Sequence, residues 1–517
     1  MSRSSSVTSH TLAAVLAIAA ASSSACLNFD PFGCQEDTQC DAQAMGRCEA
    51  VGYCSYPDLA CIDTGYRYED GAGDGLGGQC VGVEVAGTDT DGTTTTAMTD
   101  PDPETSLDSG STTMVDPTTG SDDEPTTGDA CGGAGQACCA GDGCDAGLSC
   151  NDGLCGCVQA IAVGNRHTCA IKLDGNVQCW GANDLGQLAS AEPPMSPTPV
   201  DIPGFGGALA ATALYARNHT CALTGDDTLW CWGDNASQKA SVIDPSPVVL
   251  IPGQATWAVP AAAAGVGGSH TCVGRGMGQA PTCWGDNGSG QLSGMEVPPG
   301  PAIVPGGFEP FVVALGDAHT CMSTLMGDLY CWGDNGNGQI GADPVTTPSL
   351  SVPQVVGVPP IGTLATGAQH TCVTVGSEVQ CFGRNNMGQL GNGTNVDAFT
   401  PSAAMFPPGA GVVAQLVAGA DQTCAVMAAG ELYCWGGNQN GELLLEPDKM
   451  GEDGFALTPR LIEVGFDVAQ IATGSTHTCA LSTAGQVLCW GANDQGQIGD
   501  GTVTDALEPT PAQITCP

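Results

Sequence analysis

Two patterns of apolar residues divide this chain. Near the N-terminus one unbroken apolar stretch runs from Leu12 to Ala21. Beyond residue 157 the apolar residues come instead in short strand-like runs separated by Gly, Asn and Asp, and one phrase returns seven times. It reads HTCAIKLDGNVQCWGANDLGQL from residue 167, HTCMSTLMGDLYCWGDNGNGQI from 319 and HTCALSTAGQVLCWGANDQGQI from 477, with variants from 219, 270, 370 and 422. The first cysteines of the phrases, Cys169, Cys221, Cys272, Cys321, Cys372, Cys424 and Cys479, lie 49 to 55 residues apart. A period near 50 with short strands predicts a propeller, because one four-stranded sheet cannot bury its own faces and stacks radially on its neighbours. The expected fold is all-β: a seven-bladed β-propeller over residues 157–517, preceded by two small disulfide-rich modules and a disordered stalk.

Spacing within the phrase fits a hairpin in every repeat. A second cysteine follows the first by ten residues in five repeats, by nine in the fifth and by eleven in the third. If the two face each other at non-hydrogen-bonded positions, loop length must absorb the difference. Ten leaves a three-residue loop whose third position wants a left-handed backbone, and Gly175, Gly327, Gly430 and Gly485 stand there, with Asp227 as the exception. Nine leaves Gly376-Ser377, suited to a type II′ turn, and eleven leaves a four-residue loop from Gly276 to Gln279. The expected bridges are Cys169-Cys179, Cys221-Cys231, Cys272-Cys283, Cys321-Cys331, Cys372-Cys381, Cys424-Cys434 and Cys479-Cys489. Each closes a short loop and contributes about 2 to 3 kcal/mol. Buried thiols and zinc are the competing readings, the latter because His at i and Cys at i+2 share a strand face.

Composition bears on the compartment. With 29 Cys, 55 Asp plus Glu and only 11 Lys plus Arg, the chain carries a formal charge of -44. That charge repels phosphate backbones, and without clustered cations there is no counterion release to drive nucleic-acid binding. So many cysteines form a covalent framework in an oxidising compartment and would be a burden in a reducing one, which favours the bridges. The N-terminus agrees: Arg3, the apolar stretch and the small residues Ser22 to Ala25 read as a signal peptide over residues 1–25. A membrane span needs about 20 apolar residues, and no segment supplies them. Ser23-Ser24-Ala25-Cys26 is similar to a bacterial lipobox, with Ser23 where Leu is usual. Cys26 is therefore the expected lipid-attachment site, with ordinary cleavage of a secreted protein as the alternative. The expected localisation is extracytoplasmic, as an outer-membrane lipoprotein or a secreted protein of a Gram-negative bacterium.

Residues 26–83 hold Cys34, Cys40, Cys48, Cys54, Cys61 and Cys80 with little aliphatic content, a module held by its bridges rather than by a core. Residues 84–129 turn to Thr, Asp, Gly, Ser and Pro, without Lys, Arg, Cys or an aromatic residue, and cannot bury enough apolar surface to offset chain entropy. The acidic run at Asp89 and Asp91 lacks the downstream Glu of a calcium loop and reads as linker. A second knot occupies residues 130–156, with Cys131, Cys138, Cys139, Cys144, Cys150 and Cys155; counting Cys157 makes an odd number. The chain ends PAQITCP, and a closed ring brings its two ends together, so Cys157-Cys516 is the expected eighth bond of the propeller.

With Gly-x-x-His ahead of the phrase and Trp-Gly-x-Asn-x-x-Gly-Gln-Leu after the second cysteine, the repeat resembles that of the regulator of chromosome condensation family, over residues 157–517. The resemblance implies a seven-bladed propeller with loops on two faces and a narrow central channel. The founding member's role, guanine-nucleotide exchange on chromatin, does not suit an acidic, disulfide-rich chain behind a signal peptide, and is rejected. Secreted relatives, among them bacterial proteins that inhibit beta-lactamases, set a precedent for a binding platform, while fold alone leaves the partner open.

The repeated residues read as scaffold. Asn183, Asn235, Asn287, Asn335, Asn385, Asn438 and Asn493 suit an Asx turn after the strand. Trp180, Trp232, Trp284, Trp332, Trp435 and Trp490, with Phe382, are expected between blades. His167, His219, His270, His319, His370 and His477, with Gln422 as the seventh, read as packing residues rather than as a metal ring. No nucleophile or acid/base pair stands outside the repeats and no phosphate loop or zinc motif appears, so no catalytic residue, cofactor or metal is expected. Departures from the repeat point to a site: Trp230, Trp257, the segment ASQKA at 236–240 and a Pro-rich excursion over 297–310. Trp230 and Trp257 are the candidate binding surface, with ordinary core as the alternative. The expected function is a non-enzymatic, monomeric cell-envelope or secreted protein that presents a recognition surface on a stalk to a protein or glycan. It meets the membrane only through its lipid; a structural envelope component is the alternative, and a secreted enzyme a third reading.

Overall fold

The computed structural model describes residues 47–48, 54–57, 66–68, 149–151 and 154–516, except 257–259, 276–278, 294–299 and 446–453. The signal segment, Cys26, the stalk over 84–129 and Trp257 lie outside these residues. The chain divides into two compact units, Met1–Thr119 and Gly120–Pro517. In the first, Arg47–Cys48, Cys54–Pro57 and Tyr66–Tyr68 pair as an antiparallel sheet with Cys48 in register with Cys54. In the second, a small hairpin of Ser149–Asn151 and Leu154–Gly156 leads into the propeller.

Seven four-stranded antiparallel sheets follow, each made of four consecutive strands in sequence order. Blade 1 comprises Val158–Val163, His167–Lys172, Val177–Ala182 and Met195–Asp201. Blade 7 comprises Val468–Thr473, His477–Ser482, Val487–Gly491 and Ala506–Pro511. First strands of successive blades touch all the way round, the last and the first included, so they line the axis and the fourth strands form the rim. The recurring phrase supplies the second and third strands. Neighbouring blades cover both faces of these strands, and His167–Lys172 and Val177–Ala182 are buried at every position. That is why the phrase lacks the apolar-polar alternation of a half-exposed strand.

Within each hairpin the two cysteines stand directly opposite, as with Cys169 and Cys179 or Cys372 and Cys381. All seven pairs are bonded, with Cα atoms 4.0 to 4.2 Å apart, the close spacing of a non-hydrogen-bonded pair. Gly175 and Gly376 take φ of +78° and +58°, and Asp227 accepts the same left-handed backbone at +60°. The third blade departs from expectation. Arg275 pairs with Gln279, so the loop is a residue shorter than Gly276 to Gln279, and a bulge between Val273 and Arg275 absorbs the extra residue.

On the rim, the fourth strands are sheet edges with unpaired backbone groups, a template for unwanted pairing. Six of the seven carry proline within the strand: Pro197 and Pro199, Pro252, Pro353, Pro401, Pro459, and Pro509 and Pro511. Proline removes a donor from the ladder and is tolerated at an edge.

No strand is exchanged between blades 7 and 1; a covalent bond closes the ring instead. Cys157, just before the first strand, is bonded to Cys516, with Cα atoms 5.7 Å apart. The tail that carries Cys516 lies along blade 1, where Thr515 N donates to Gln178 Oε1 at 3.2 Å and Lys172 Nζ donates to Thr515 O at 3.3 Å. A cavity of about 290 Å³ opens beside this bond, lined by Val158, Val487, Leu488, Pro511 and Ile514.

Candidate functional site

Most of the repeated polar residues are spent on the seams between blades. At the closing seam Thr168 Oγ1 donates to Gln497 O at 2.9 Å, so its oxygen is left to accept from His477 Nε2 at 2.8 Å, and Trp180 Nε1 donates to the same carbonyl at 2.9 Å. The set recurs round the ring: His270 meets Thr320 at 2.7 Å, and Thr320 and Trp332 both donate to Gln291 O at 2.9 Å. In blade 5 Phe382 lacks the indole donor, and Thr371 alone supplies Gln339 O at 2.9 Å. Gln422 replaces the seventh imidazole with an amide that donates to Gly474 O at 3.0 Å.

Burial sets the charge of the imidazoles. All six are at most 1% exposed. Desolvation pulls His167 down to about 4 and His270, His319, His370 and His477 to about 3, and holds His219 well below its usual value. Neutral and bonded outward to the next blade through Nε2, they are seam residues. The tandem asparagines differ from a simple Asx turn. Asn183 Oδ1 accepts from Leu188 N, five residues on, at 2.9 Å, and its Nδ2 donates to Pro193 O at 2.7 Å, tying down the whole loop between third and fourth strands. Asn335 and Asn493 do the same with Ile340 and Ile498.

One residue breaks the symmetry at the axis. In six blades the first strand is followed at once by a glycine, Gly164, Gly267, Gly316, Gly367, Gly419 or Gly474, where an added Cβ would meet the next blade's backbone or the blade's own side chain at the imidazole position. At Gly474 that Cβ would sit 2.1 Å from Gly164 O. Blade 2 instead has Arg217 in a turn one residue shorter: Arg217 N donates to His219 O two residues on, whereas Gly164 N donates to His167 O three residues on. Arg217 O still accepts from Asn165 N at 2.8 Å, so its backbone keeps the glycine's place in the ring.

The Arg217 side chain is 6% exposed, and its Nη2 has no hydrogen-bond partner. Its charge depresses His319 and His370 on blades 4 and 5, and Asp317 of blade 4 raises its own pKa against the lowering by burial. At the position that glycine holds in the other blades, the Arg217 side chain is buried near enough to blades 4 and 5 for its charge to reach their imidazoles. Among the described residues it forms no ion pair within 4.0 Å.

Other polar groups surround the mouth of the channel on this face. Ser475 Oγ donates to Asn165 Oδ1 and Asn165 Nδ2 to Asn218 Oδ1, both at 2.7 Å; Ser269 Oγ donates to Asp317 O at 2.8 Å. Arg384 donates to Gln369 Oε1 at 3.0 Å and lies 3.8 Å from Asp421. Burial raises the Asp421 carboxyl, Arg384 lowers it and Asp317 raises it further. Arg166 is paired with Asp184 at 2.6 Å. Cys157 and Cys516 lie at the opposite face, where Leu173 N, in the turn between second and third strands, donates to Cys157 O at 2.8 Å.

The residues singled out by their departure from the repeat sit elsewhere. Trp230 is half-buried against the core, stands opposite Ala222 as Tyr330 stands opposite Met322, and donates to Thr228 Oγ1 at 2.9 Å. Within ASQKA, Lys239 forms a buried ion pair with Asp234 at 2.6 Å, and its carbonyl accepts from Thr271 and Trp284 as a glutamine carbonyl does elsewhere. The Pro-rich excursion supplies the rim strand Ala302–Ile303 and Phe308, which stacks on Tyr330 with centroids 4.3 Å apart. Arg217 escaped the sequence reading, although its signal was available: blade 2 reads Ala-Arg-Asn-His where the others carry Gly-x-x-His or Gly-x-x-Gln.

A family model described as regulator of chromosome condensation (RCC1) repeat matches residues 158–187, 217–238, 313–339, 413–442 and 468–497, and a second of the same description matches 378–426 and 429–481. The chain is 27% identical over 368 residues to the ultraviolet-B receptor UVR8 of Arabidopsis thaliana, covering 67% of this chain and 80% of that protein. It is 28% identical over 348 residues to the E3 ubiquitin-protein ligase HERC2 of Homo sapiens, covering 65% of this chain and 7% of HERC2. Among solved structures, human WBSCR16 is similar with a TM-score of 0.58 at 20% identity, over 66% of this chain and 95% of that one, a likeness of fold alone.

Proposed function

From a propeller built of regulator of chromosome condensation repeats, we infer that this protein is a non-enzymatic recognition disc, held outside the cytoplasm, which binds a protein or glycan on the face that carries the channel mouth. Arg217 carries this reading. In a ring whose repeated threonines, indoles and imidazole Nε2 atoms bond across seams, and whose unpartnered imidazole Nδ1 atoms are neutral, it is a buried charge that forms no ion pair among the described residues, an arrangement that costs stability unless something completes it.

Several observations support the reading. The chain enters the propeller on the opposite face, at Cys157, and not at the mouth. Eight bridges among the described residues fit an extracellular protein, and no helix among those residues is long and apolar enough to cross a membrane. A signal peptide and a lipid at Cys26 would tether the disc through its N-terminal modules, and it would act as a monomer. The buried imidazoles have pKa values far from those of a general base working near neutrality, which speaks against the enzyme reading. Guanine-nucleotide exchange on chromatin is set aside because of the -44 charge.

The test is capture by the oxidised full-length protein, immobilised and offered solubilised envelope proteins, secreted proteins and a glycan panel, beside the Arg217→Gly variant. A saturable partner that the variant loses is expected. Failure to capture any partner would favour a structural envelope role, and turnover that survives purification would favour an enzyme.

A further inference from the structure

Resting on that recognition reading, we propose that the channel mouth is a receptor for a single carboxylate group, carried on a slim projection of the partner and gripped by Arg217. The guanidinium presents a planar fork of donors that matches the two oxygens of a carboxylate. In Arg217 this fork is desolvated and its Nη2 is idle, and one bound carboxylate would relieve both defects.

The surroundings select for one charge and for a narrow carrier. Gly267, Gly316, Gly367 and Gly419 hold the position equivalent to Arg217 and pack closely on the next blade's backbone, so at this level of the ring Arg217 alone among them presents a side chain. Asp317 is exposed at this mouth and Asp421 stands beyond it with Arg384. Both repel a multiply charged anion such as a phosphate cluster, and neither forms an ion pair with Arg217. Arg166 is engaged with Asp184 and Arg384 with Gln369 and Asp421, which leaves Arg217, among the described residues at this mouth, as the cation available to a ligand entering on the axis. Nearby imidazoles are neutral and add no charge of either sign. The carboxylate belongs either to a chain terminus or to an Asp or Glu side chain on an otherwise neutral or basic surface.

The experiment uses the oxidised full-length protein at pH 7 and constant ionic strength. Sodium acetate, triglycine, triglycine amide and N-acetylglutamate α-amide are titrated while the thermal midpoint and the calorimetric heat are followed. Saturable binding of acetate is expected, weakened at least tenfold in Arg217→Gly, which restores the residue six blades already carry. Arg217→Met serves as a second variant should the first fail to fold. Binding of triglycine but not its amide points to a chain terminus, and preference for the glutamate derivative to a side chain. Equal acetate responses in wild type and variants, or no saturable response, overturn the proposal. If captured partners bind Arg217→Gly undiminished, the carboxylate site falls and recognition stands; if acetate binds and no partner is captured, the reverse holds.

Discussion

Removing the bond between Cys157 and Cys516 is the sharpest perturbation the ring offers. The bond spans 359 residues, and the chain-entropy relation gives about 6 kcal/mol for a loop of that length, against about 3 kcal/mol for a ten-residue blade bridge. Blade bridges inside the large loop shorten its effective length by some ten residues each, but the dependence is logarithmic and the correction is only about 0.2 kcal/mol. The figure is a ceiling, since residual structure in the unfolded chain reduces it. What remains at the opened junction is one seam's worth of contacts: His477 with Thr168, two donors to Gln497 O, and the tail on Gln178. The Cys157→Ala/Cys516→Ala double variant is to be unfolded in urea under oxidising conditions, with hydrogen exchange followed at all seven seams. A loss of several kcal/mol is expected, with exchange rising first between blades 7 and 1. A loss under about 2 kcal/mol, or exchange that rises equally at every seam, would refute the view that this bond holds the ring shut.

Acid should weaken the ring through its imidazoles. Their folded pKa values lie near 3 to 4, below the unfolded value, so the unfolded chain takes up protons first and stability falls as pH drops from about 6.5 toward 3. At pH 5 the loss is about 2 kcal/mol per imidazole, which urea midpoints at pH 7, 6 and 5 will register; flat midpoints would contradict neutral, buried rings. Trp332→Phe should cost only about 1 kcal/mol, because Thr320 still supplies Gln291 O and blade 5 already works with Phe382. Gly474→Ala should cost about 3 kcal/mol or more in thermal or urea unfolding, since its Cβ would lie 2.1 Å from Gly164 O in the neighbouring blade.

The parts of the fold that were legible in the sequence are local ones. A hairpin brings Cys169 opposite Cys179 within one repeat, so the spacing alone carries the geometry, and the same holds for the left-handed turn at Gly175. Gln279 shows the limit, because a bulge and a longer loop both satisfy an eleven-residue spacing and only the register at Arg275 decides. Asn183 was placed in the right turn with the wrong partner: its acceptor reaches Leu188 five residues away, a distance set by the path of the whole loop. Arg217 was least legible. Its departure from Gly-x-x-His is visible in the text of the repeat, but its meaning depends on six glycines from distant segments converging on one axis, which no single repeat contains. Trp230 is the converse case, an aromatic that departs from the repeat yet stands at the register position that Tyr330 and Tyr433 hold in other blades.

Because every blade is a contiguous segment and the seam between blades 7 and 1 uses the same threonine, imidazole, carbonyl and indole as the seam between blades 3 and 4, the junction of the chain ends is not a specialised seam. A circular permutant opened between blades 3 and 4, with residues 157 and 516 joined, would meet an equivalent set of contacts at its new junction, whereas one opened between blades 4 and 5 or 6 and 7 would lack the indole or the imidazole. Chain order then governs attachment rather than architecture: it decides from which sector of the disc the preceding segment departs.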